Sequence, residues 1–170
     1  MKLVDFYGLI DDFQGTFVVK CGLQLLVLTF MRSSELRLGE WQEVDLKDKL
    51  WRNPAKRIKM RLDLLVPLSS QAIKILNSLH ELTGDRRLMF PGLRSPDKPI
   101  SDAAFITALR RMDYTKEEMY VHGFRAMAST LLNEQGYPAG VIERQLAHVP
   151  GNKIRAAYNL GQNICQNVVK

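Results

Sequence analysis

The 170-residue sequence is poor in cysteine, and this excludes several classes of protein. Its two cysteines, Cys21 and Cys165, lie near opposite ends, so no CxxC pair and no Cys/His cluster indicates a structural metal. Nothing in this content implies an oxidising compartment. Cys21 lies in an apolar run and is expected to be a small buried hydrophobic residue.

Signals for membranes and for repeated architecture are also missing. The first five residues lack the charged-then-apolar order of a signal peptide. The most apolar stretch, residues 17–31, contains Lys20 and Gln24 and is shorter than the roughly 20 residues that a membrane span needs. We therefore expect no membrane partner and interpret the stretch as a central helix buried on most sides. No internal repeat, low-complexity tract or interdomain linker is evident.

The length and charge of the chain indicate the number of domains and the kind of partner. A chain of 170 residues fits one domain with a hydrophobic core. Its net charge of +6 and its pI near 9.4 favour an anionic partner such as nucleic acid or a membrane surface. Charge alone is equally compatible with a basic protein that has no such partner.

The apolar pattern predicts a mostly α-helical α+β fold with a small sheet. Residues 41–45, 49–53 and 62–68 are short segments with strand character, which predicts three antiparallel strands. The basic residues 56–61 would link the second strand to the third. Helices are expected over residues 3–12, over 17–31 with Thr16 as N-cap, and from Ser33 onward.

Four helices are expected after the sheet, followed by a last helical segment around residues 153–159. The first is capped by Ser69 or Ser70 and ends at residues 83–85, and a loop over residues 86–100 follows. Ser101 would cap the second, and the third would end at Gly136. Pro138 would start the fourth. The second helix has an apolar stripe made of Phe105, Ile106, Leu109 and Met112.

The last third of the chain carries polar residues suited to phosphate chemistry. His122 and Arg125 are three residues apart at a helix start and can face the same point. Arg125 borders the apolar stripe of its helix, so its guanidinium needs an acceptor, and its planar fork fits two phosphate oxygens. A buried salt bridge is the alternative for Arg125, and a helix-capping or core role is the alternative for His122.

Four further residues would complete such a site, and each also has an ordinary interpretation. His148 can be a loop histidine, and Tyr158 can be a packing residue. Arg32 can be a cation at the C-terminal end of a helix, where the dipole favours it. Lys59 lies among other cations and can belong to a solvated hairpin. Taken jointly, their order makes these separate interpretations less convincing.

The order Arg, Lys, His-x-x-Arg, His, Tyr resembles the catalytic domain of tyrosine recombinases, and especially the P4-like integrases of phages and genomic islands. The resemblance covers nearly the whole chain. It is most specific in residues 122–132 and 143–148 and less specific in residues 28–37. Residues 57–61, 65–68 and 153–159 also match. Type IB topoisomerases share the chemistry, but the segments around His122 and His148 favour integrases.

This resemblance implies a role for each residue. Tyr158 would attack a DNA phosphate to form a 3′-phosphotyrosyl bond, and His148 would donate a hydrogen bond to the same phosphate. His122 is the favoured acid/base partner of Tyr158, although the sequence leaves open which histidine takes the proton. Arg32 and Arg125 would clamp the non-bridging oxygens. The resemblance further assigns Lys59 as general acid and Glu35 as the residue that orients an active-site cation, with Arg57 and Arg61 as rivals of Lys59.

The resemblance also implies the partners and the setting. Double-stranded DNA at an attachment site would be the substrate, without a cofactor or metal. DNA contacts are expected from the basic residues Lys56, Arg57, Arg61, Arg94 and Lys153. Residues 1–170 would form the catalytic domain, without the core-binding and arm-binding domains of the family. We expect a tetramer on DNA for full-length relatives, a monomer for this chain alone, and a nucleoid-associated location in a bacterial cytoplasm.

Two hypotheses therefore follow. The first is an enzyme of site-specific recombination that integrates or excises a prophage or mobile element. The second is a non-enzymatic DNA-binding remnant, or an isolated fragment of an integrase, that keeps the fold but cannot recombine alone.

Overall fold

The computed structural model describes residues 3–57, 63–115, 123–140, 142 and 146. Within these residues the fold is mostly helical with one small sheet, so the predicted α+β class is confirmed. The elements in chain order are α1 Leu3–Asp11, α2 Phe17–Thr29, α3 Ser33–Arg37, β1 Val44–Asp45, β2 Leu50–Asn53, β3 Leu64–Pro67, α4 Ser70–Thr83, α5 Ala104–Arg111 and α6 Gly123–Glu134.

Helix α2 is the centre of the core, as its apolar sequence predicts. It begins after Thr16, whose hydroxyl accepts a hydrogen bond of 3.4 Å from the backbone N–H of Val19. Residues 21–29 are all buried, and α2 contacts α1, α3, α4 and α5. Cys21 is 2% exposed, and burial raises the pKa of its thiol to about 12. Its expected role as a buried apolar residue is confirmed.

The C-terminal end of α2 differs slightly from the prediction. The helix ends at Thr29, and Phe30 adopts a left-handed conformation with a φ of 56°. This conformation is uncommon for a residue with a bulky side chain. The Phe30 ring is fully buried, which fixes the turn that leads to Arg32 and α3.

The sheet has the order β1-β2-β3 with both pairs antiparallel, as predicted. Trp51 on β2 lies opposite Val66 on β3, and both side chains are buried in the hydrophobic core. The prediction of a strand from residue 41 is wrong, because Trp41–Glu43 form a single 3-10 turn. The Trp41 indole N–H donates to the carbonyl of Thr83 instead of facing a neighbouring strand.

The predicted N-cap of α4 is confirmed, whereas the predicted N-cap of α5 is wrong. The Ser69 hydroxyl accepts a hydrogen bond of 3.1 Å from the backbone N–H of Ala72 at the start of α4. The proposed Ser101 cap is wrong, because α5 begins at Ala104 and the N-cap position is Ala103. Ile106 is 46% exposed. The buried face of α5 is instead formed by residues spaced by three and four, namely Phe105, Ala108 and Leu109.

Helix α6 and the residues after it bring the last described part of the chain onto the core. Its buried stripe contains Phe124, Ala128 and Leu132, and Gly136 follows with a φ of 78°. The Ile142 N–H donates to the carbonyl of Pro138, and the Leu146 N–H donates to that of Ile142, which is the helical pattern expected from Pro138 onward. The helix predicted near residues 153–159 lies outside the described residues.

No helix in the described part of the chain is long and apolar enough to cross a bilayer.

Candidate functional site

Arg32 lies at the entrance to α3 and is held there by Glu35. The Arg32 guanidinium is 2.7 Å from one Glu35 carboxylate oxygen, and the other oxygen accepts the Arg32 backbone N–H at 3.1 Å. Glu35 is 1% exposed, whereas the Arg32 side chain is 22% exposed. The carboxylate therefore anchors a guanidinium that still reaches solvent, and the predicted contact between Glu35 and a cation is present.

Arg125 lies on α6 with its side chain directed into the protein. One guanidinium nitrogen donates a hydrogen bond of 2.5 Å to the main-chain carbonyl of Phe30. The other terminal nitrogen donates to the main-chain carbonyl of Leu146. Both hydrogen bonds are buried. The sequence predicted an acceptor for Arg125 but did not identify these two backbone carbonyls.

These two hydrogen bonds join three segments that are distant in the sequence. Phe30 precedes Arg32 by two residues, and Leu146 precedes His148 by two residues. Helix α2 ends at Thr29 and Phe30 is left-handed, so the Phe30 carbonyl is not used within a continuing helix. The Arg125 side chain thus contacts both Phe30, at the turn before Arg32, and Leu146.

Arg125 is bound to Phe30, two residues before Arg32 in the chain, and is influenced by the charges of Arg32 and Glu35. Burial, followed by the positive charge of Arg32, lowers the pKa of Arg125 to about 10, and the negative charge of Glu35 acts in the opposite direction. At neutral pH Arg125 therefore stays protonated. The site holds two cations and one buried carboxylate, which leaves it with a surplus of positive charge suited to an anion.

The predicted DNA-contacting residues occupy different environments. Lys56 and Arg94 are exposed and can reach an external partner. The Arg57 side chain is only 11% exposed. Its guanidinium pairs with Glu43 and donates to the carbonyl of Leu38. DNA contact by Arg57 stays a prediction, and this burial does not favour it.

Several predicted site residues lie outside the described residues. They are Lys59, Arg61, His122, His148, Lys153 and Tyr158. Their roles stay predictions.

The described residues contain no group of three or more His, Cys, Asp or Glu arranged to hold a metal ion. The residues that sequence reasoning missed are Phe30, Leu146 and Glu43. The first two act through backbone carbonyls, for which the side chain gives no signal. Glu43 could have been found only by knowing that the fold would bury it beside Arg57.

Comparison with known proteins gives consistent results. Residues 4–162 match the model of the phage integrase family. The integrase of Enterobacteria phage P4 is 41% identical over 171 residues, which covers 92% of this chain and 39% of that protein. The chain therefore spans about two fifths of the length of this relative.

Solved structures agree in fold. The integrase from mycobacterium phage Brujita superposes with a TM-score of 0.76 at 15% identity, covering 98% of this chain and 56% of that chain. The Tn1549 transposon integrase, in complex with circular intermediate DNA, superposes with a TM-score of 0.64 at 12% identity, covering 92% of this chain and 60% of that chain. The family resemblance predicted from the sequence is confirmed: this chain belongs to the phage integrase family.

Proposed function

We propose that this chain is the catalytic domain of a tyrosine-type site-specific DNA recombinase. It would cleave and rejoin double-stranded DNA at an attachment site through a 3′-phosphotyrosyl intermediate. The observation that carries the proposal is the hydrogen bond from the Arg125 side chain to the Phe30 carbonyl, two residues before Arg32, which Glu35 holds in place. The complex of the Tn1549 transposon integrase with circular intermediate DNA supports DNA as the partner.

The two guanidiniums supply what a phosphoryl-transfer reaction demands. Negative charge accumulates on the non-bridging oxygens of the pentacovalent transition state, and fixed cations stabilise this charge without reorganising. Arg125 is held by backbone carbonyls and Arg32 by Glu35, so both are oriented before DNA arrives. Each clamp could contribute on the order of 3 kcal/mol to the transition state.

The remaining chemistry is assigned to residues of the family pattern. The Tyr158 phenolate oxygen attacks phosphorus, the bond from phosphorus to the 5′ oxygen breaks, and the tyrosine becomes linked to the 3′ phosphate. The phenol proton passes to a histidine, with His122 favoured, because a phenol with a pKa of about 10 is a weak nucleophile. Lys59 gives a proton to the departing 5′ oxygen, and His148 donates a hydrogen bond to the phosphate. The linkage conserves the phosphodiester energy, so rejoining is the reverse reaction and needs no ATP.

The activity of a whole recombinase goes beyond this chain's span. For the protein to which this catalytic unit corresponds, we propose integration or excision of a prophage or mobile element. We also propose assembly of a tetramer on DNA and a nucleoid-associated location in a bacterial cytoplasm. A DNA-binding remnant without cleavage activity is the competing hypothesis. The two predict the same fold and the same cation pair, and they differ only in turnover.

A nicked suicide substrate distinguishes the recombinase from the DNA-binding remnant. The nick releases a short 5′ fragment after cleavage, so a covalent complex accumulates and is seen as a shifted band on a denaturing gel. Cleavage predicts an adduct with the wild-type chain, loss of that adduct in Tyr158→Phe with DNA binding retained, and an unchanged adduct in the matched control Tyr7→Phe on α1. The DNA carries the cognate site and is supplied at a concentration above its measured dissociation constant. A chain that is saturated with this DNA and traps no adduct is a remnant.

A further inference from the structure

A cleft lies between the end of α1 and the end of α5, and none of the residues that line it belongs to the cation site. Its volume is about 240 Å³, and Leu9, Phe13 and Met112 form its apolar side. Phe13 and Met112 pack with the core, whereas Leu9 is 47% exposed. The cleft therefore offers apolar surface that a side chain from another molecule can cover.

Charged residues that also line this cleft favour a cationic partner. They are Asp12, Arg111 and Asp113, and all three are exposed. Two carboxylates thus outnumber one guanidinium here, whereas the whole chain has a net charge of +6. This local reversal of sign favours a partner surface on which cations flank an apolar group.

The loop over residues 91–99 presents a surface of that kind. Pro91 and Pro99 lie opposite each other at its base in an antiparallel bridge, and the Gly92 N–H donates a hydrogen bond of 2.7 Å to the Lys98 carbonyl. Leu93, which follows Gly92, is 87% exposed. Because these contacts already close the loop, holding Leu93 in a cleft costs little additional backbone entropy.

Cations flank Leu93 on this loop. Arg94 follows it directly, Lys98 lies across the loop, and both are exposed. Asp97 is the only carboxylate within residues 91–99, so the loop has a net charge of +1. The loop therefore complements the cleft twice, because its exposed leucine matches the apolar lining and its positive surplus matches the negative one.

The loop and the cleft are separate surfaces of one chain. The Ile100 carbonyl, next to the loop, accepts a hydrogen bond of 3.3 Å from Arg37 at the end of α3, which follows the C-terminal end of α2. Phe13 in the cleft instead precedes the N-terminal end of α2. Since Leu93 is exposed, its own chain does not cover it. A contact between loop and cleft therefore joins different copies.

We propose that the 91–99 loop of one copy docks into this cleft on a second copy, with the Leu93 side chain covering the apolar lining. The contact is heterologous, because each copy contributes a loop to one neighbour and a cleft to another, so it can repeat from copy to copy. One inserted side chain buries less area than a stable interface needs. We therefore expect a dissociation constant on the order of 0.1–1 mM for the free chain. Copies held side by side on DNA would bind at a higher effective concentration.

Sedimentation equilibrium without DNA, at up to about 1 mM protein, tests this contact. The average mass of the wild-type chain should rise with concentration. Leu93→Glu keeps the cleft but loses the apolar tip, and Leu9→Glu keeps the loop but places a charge in the cleft. Each variant alone should associate at least about tenfold more weakly than wild type.

An equimolar mixture of these two variants gives the decisive readout. The intact loop of Leu9→Glu can enter the intact cleft of Leu93→Glu, so association should return. It should stop at the dimer, because no second intact loop and cleft remain in that dimer. Leu82→Glu is the matched control, since Leu82 is 54% exposed on α4 and does not line the cleft. It should associate like wild type.

The charged residues of the cleft provide a separate test. Asp113 has a φ of 63°, a conformation that asparagine also tolerates, so Asp113→Asn removes the charge without straining the backbone. It should weaken association about two- to fivefold at low salt. The difference from wild type should disappear at about 1 M salt, where exposed charges are screened.

Three outcomes would overturn the proposal. The first is a wild-type chain that stays monomeric up to about 1 mM. The second is association that Leu93→Glu leaves unchanged, which means that something other than the loop occupies the cleft. The third is a mixture that fails to restore association, which means that the contact is not heterologous. Thermal unfolding checks that each variant folds, and Leu9→Gln or Leu93→Ser replaces one that does not. Because DNA is absent, none of these outcomes bears on the proposed function, which the suicide substrate tests by itself.

Discussion

The guanidinium of Arg125 donates a hydrogen bond of 2.5 Å to the main-chain carbonyl of Phe30, 95 residues earlier in the chain. This bond connects α6 to the turn that presents Arg32, and a second bond connects the same side chain to the carbonyl of Leu146. Arg125, a residue of the proposed phosphate clamp, therefore also has a structural role. Catalytic and stability effects of Arg125 must therefore be measured separately.

Replacing Arg125 should destabilise the fold. Arg125→Gln leaves the buried carbonyls of Phe30 and Leu146 without their guanidinium donors, and each loss costs about 1–3 kcal/mol. Removing a buried cation beside Arg32 offsets part of this, so we expect a net loss of about 2 kcal/mol. Urea unfolding should show a lower midpoint with an unchanged slope.

The exposed cation Arg111 on α5 provides the control, and Arg111→Gln should change stability by less than about 0.5 kcal/mol. Arg125→Lys should fall between wild type and Arg125→Gln, because one ammonium cannot reproduce the two-pronged geometry. Equal stability of Arg125→Gln and wild type would contradict the structural role of these bonds.

Removing the charge of Glu35 should destabilise the protein by leaving two cations uncompensated. Glu35→Gln keeps one acceptor oxygen for the Arg32 N–H groups but loses the negative charge that pairs with Arg32 and acts on Arg125. We expect a loss of about 2 kcal/mol, less than for a fully buried pair because Arg32 is partly exposed. Urea unfolding measures it, with Glu81→Gln on the exposed face of α4 as control. A loss no larger than the control's would show that the pair is energetically neutral.

Inorganic phosphate should bind the cation pair and stabilise the folded state. At a concentration tenfold above its dissociation constant, the free energy of unfolding should rise by about 1.4 kcal/mol. Phosphate also stabilises proteins non-specifically, so the comparison is with Arg32→Gln, which should retain only that general effect. Thermal unfolding at matched ionic strength in chloride provides the baseline. An identical phosphate response in both proteins would argue against an anion site at Arg32.

Replacing Lys56 should weaken DNA binding without weakening the fold. Lys56 is exposed, and each lost phosphate contact should reduce the slope of log affinity against log salt by about 0.9. Fluorescence anisotropy with a labelled duplex at several salt concentrations measures the slope for Lys56→Met. Arg57→Met should instead lower stability and leave the slope unchanged, because its guanidinium is committed to Glu43 and Leu38. A reduced slope in Arg57→Met together with normal stability would reverse this assignment.

A methyl group at Gly22 should disturb the contact between α2 and α5. A Cβ atom there would lie 2.5 Å and 2.7 Å from two ring carbons of the fully buried Phe105. The overlap should cost more than alanine gains in helix propensity, giving a net loss of about 1–2 kcal/mol for Gly22→Ala. Gly8 on α1 has no atom within 4 Å of such a Cβ, and Gly8→Ala should stabilise the protein by about 0.5–1 kcal/mol. Differential scanning calorimetry of both variants checks the sign of each change.

The sequence predicted the framework of the fold because that framework depends on local patterns. Apolar spacing indicated the buried α2. Thr16 was identified as a cap and Ser69 as one of two candidates, because such hydroxyls satisfy nearby backbone N–H groups. The prediction failed where local signals were ambiguous. Aromatic character near Trp41 suggested a strand, but the Trp41 indole bonds to Thr83, 42 residues away. Ser101 resembled an N-cap, yet α5 starts three residues later.

The sequence by itself determined which residue types are available for phosphate chemistry and in what order they occur, and it identified the family. Only the tertiary structure decided what holds Arg125, because its acceptors are backbone carbonyls, and every residue in a chain has one. It likewise decided that Lys56 is exposed while its neighbour Arg57 is partly buried and paired with Glu43. Two adjacent cations look alike in a sequence, and they differ only once the fold removes one of them from water and supplies its partners.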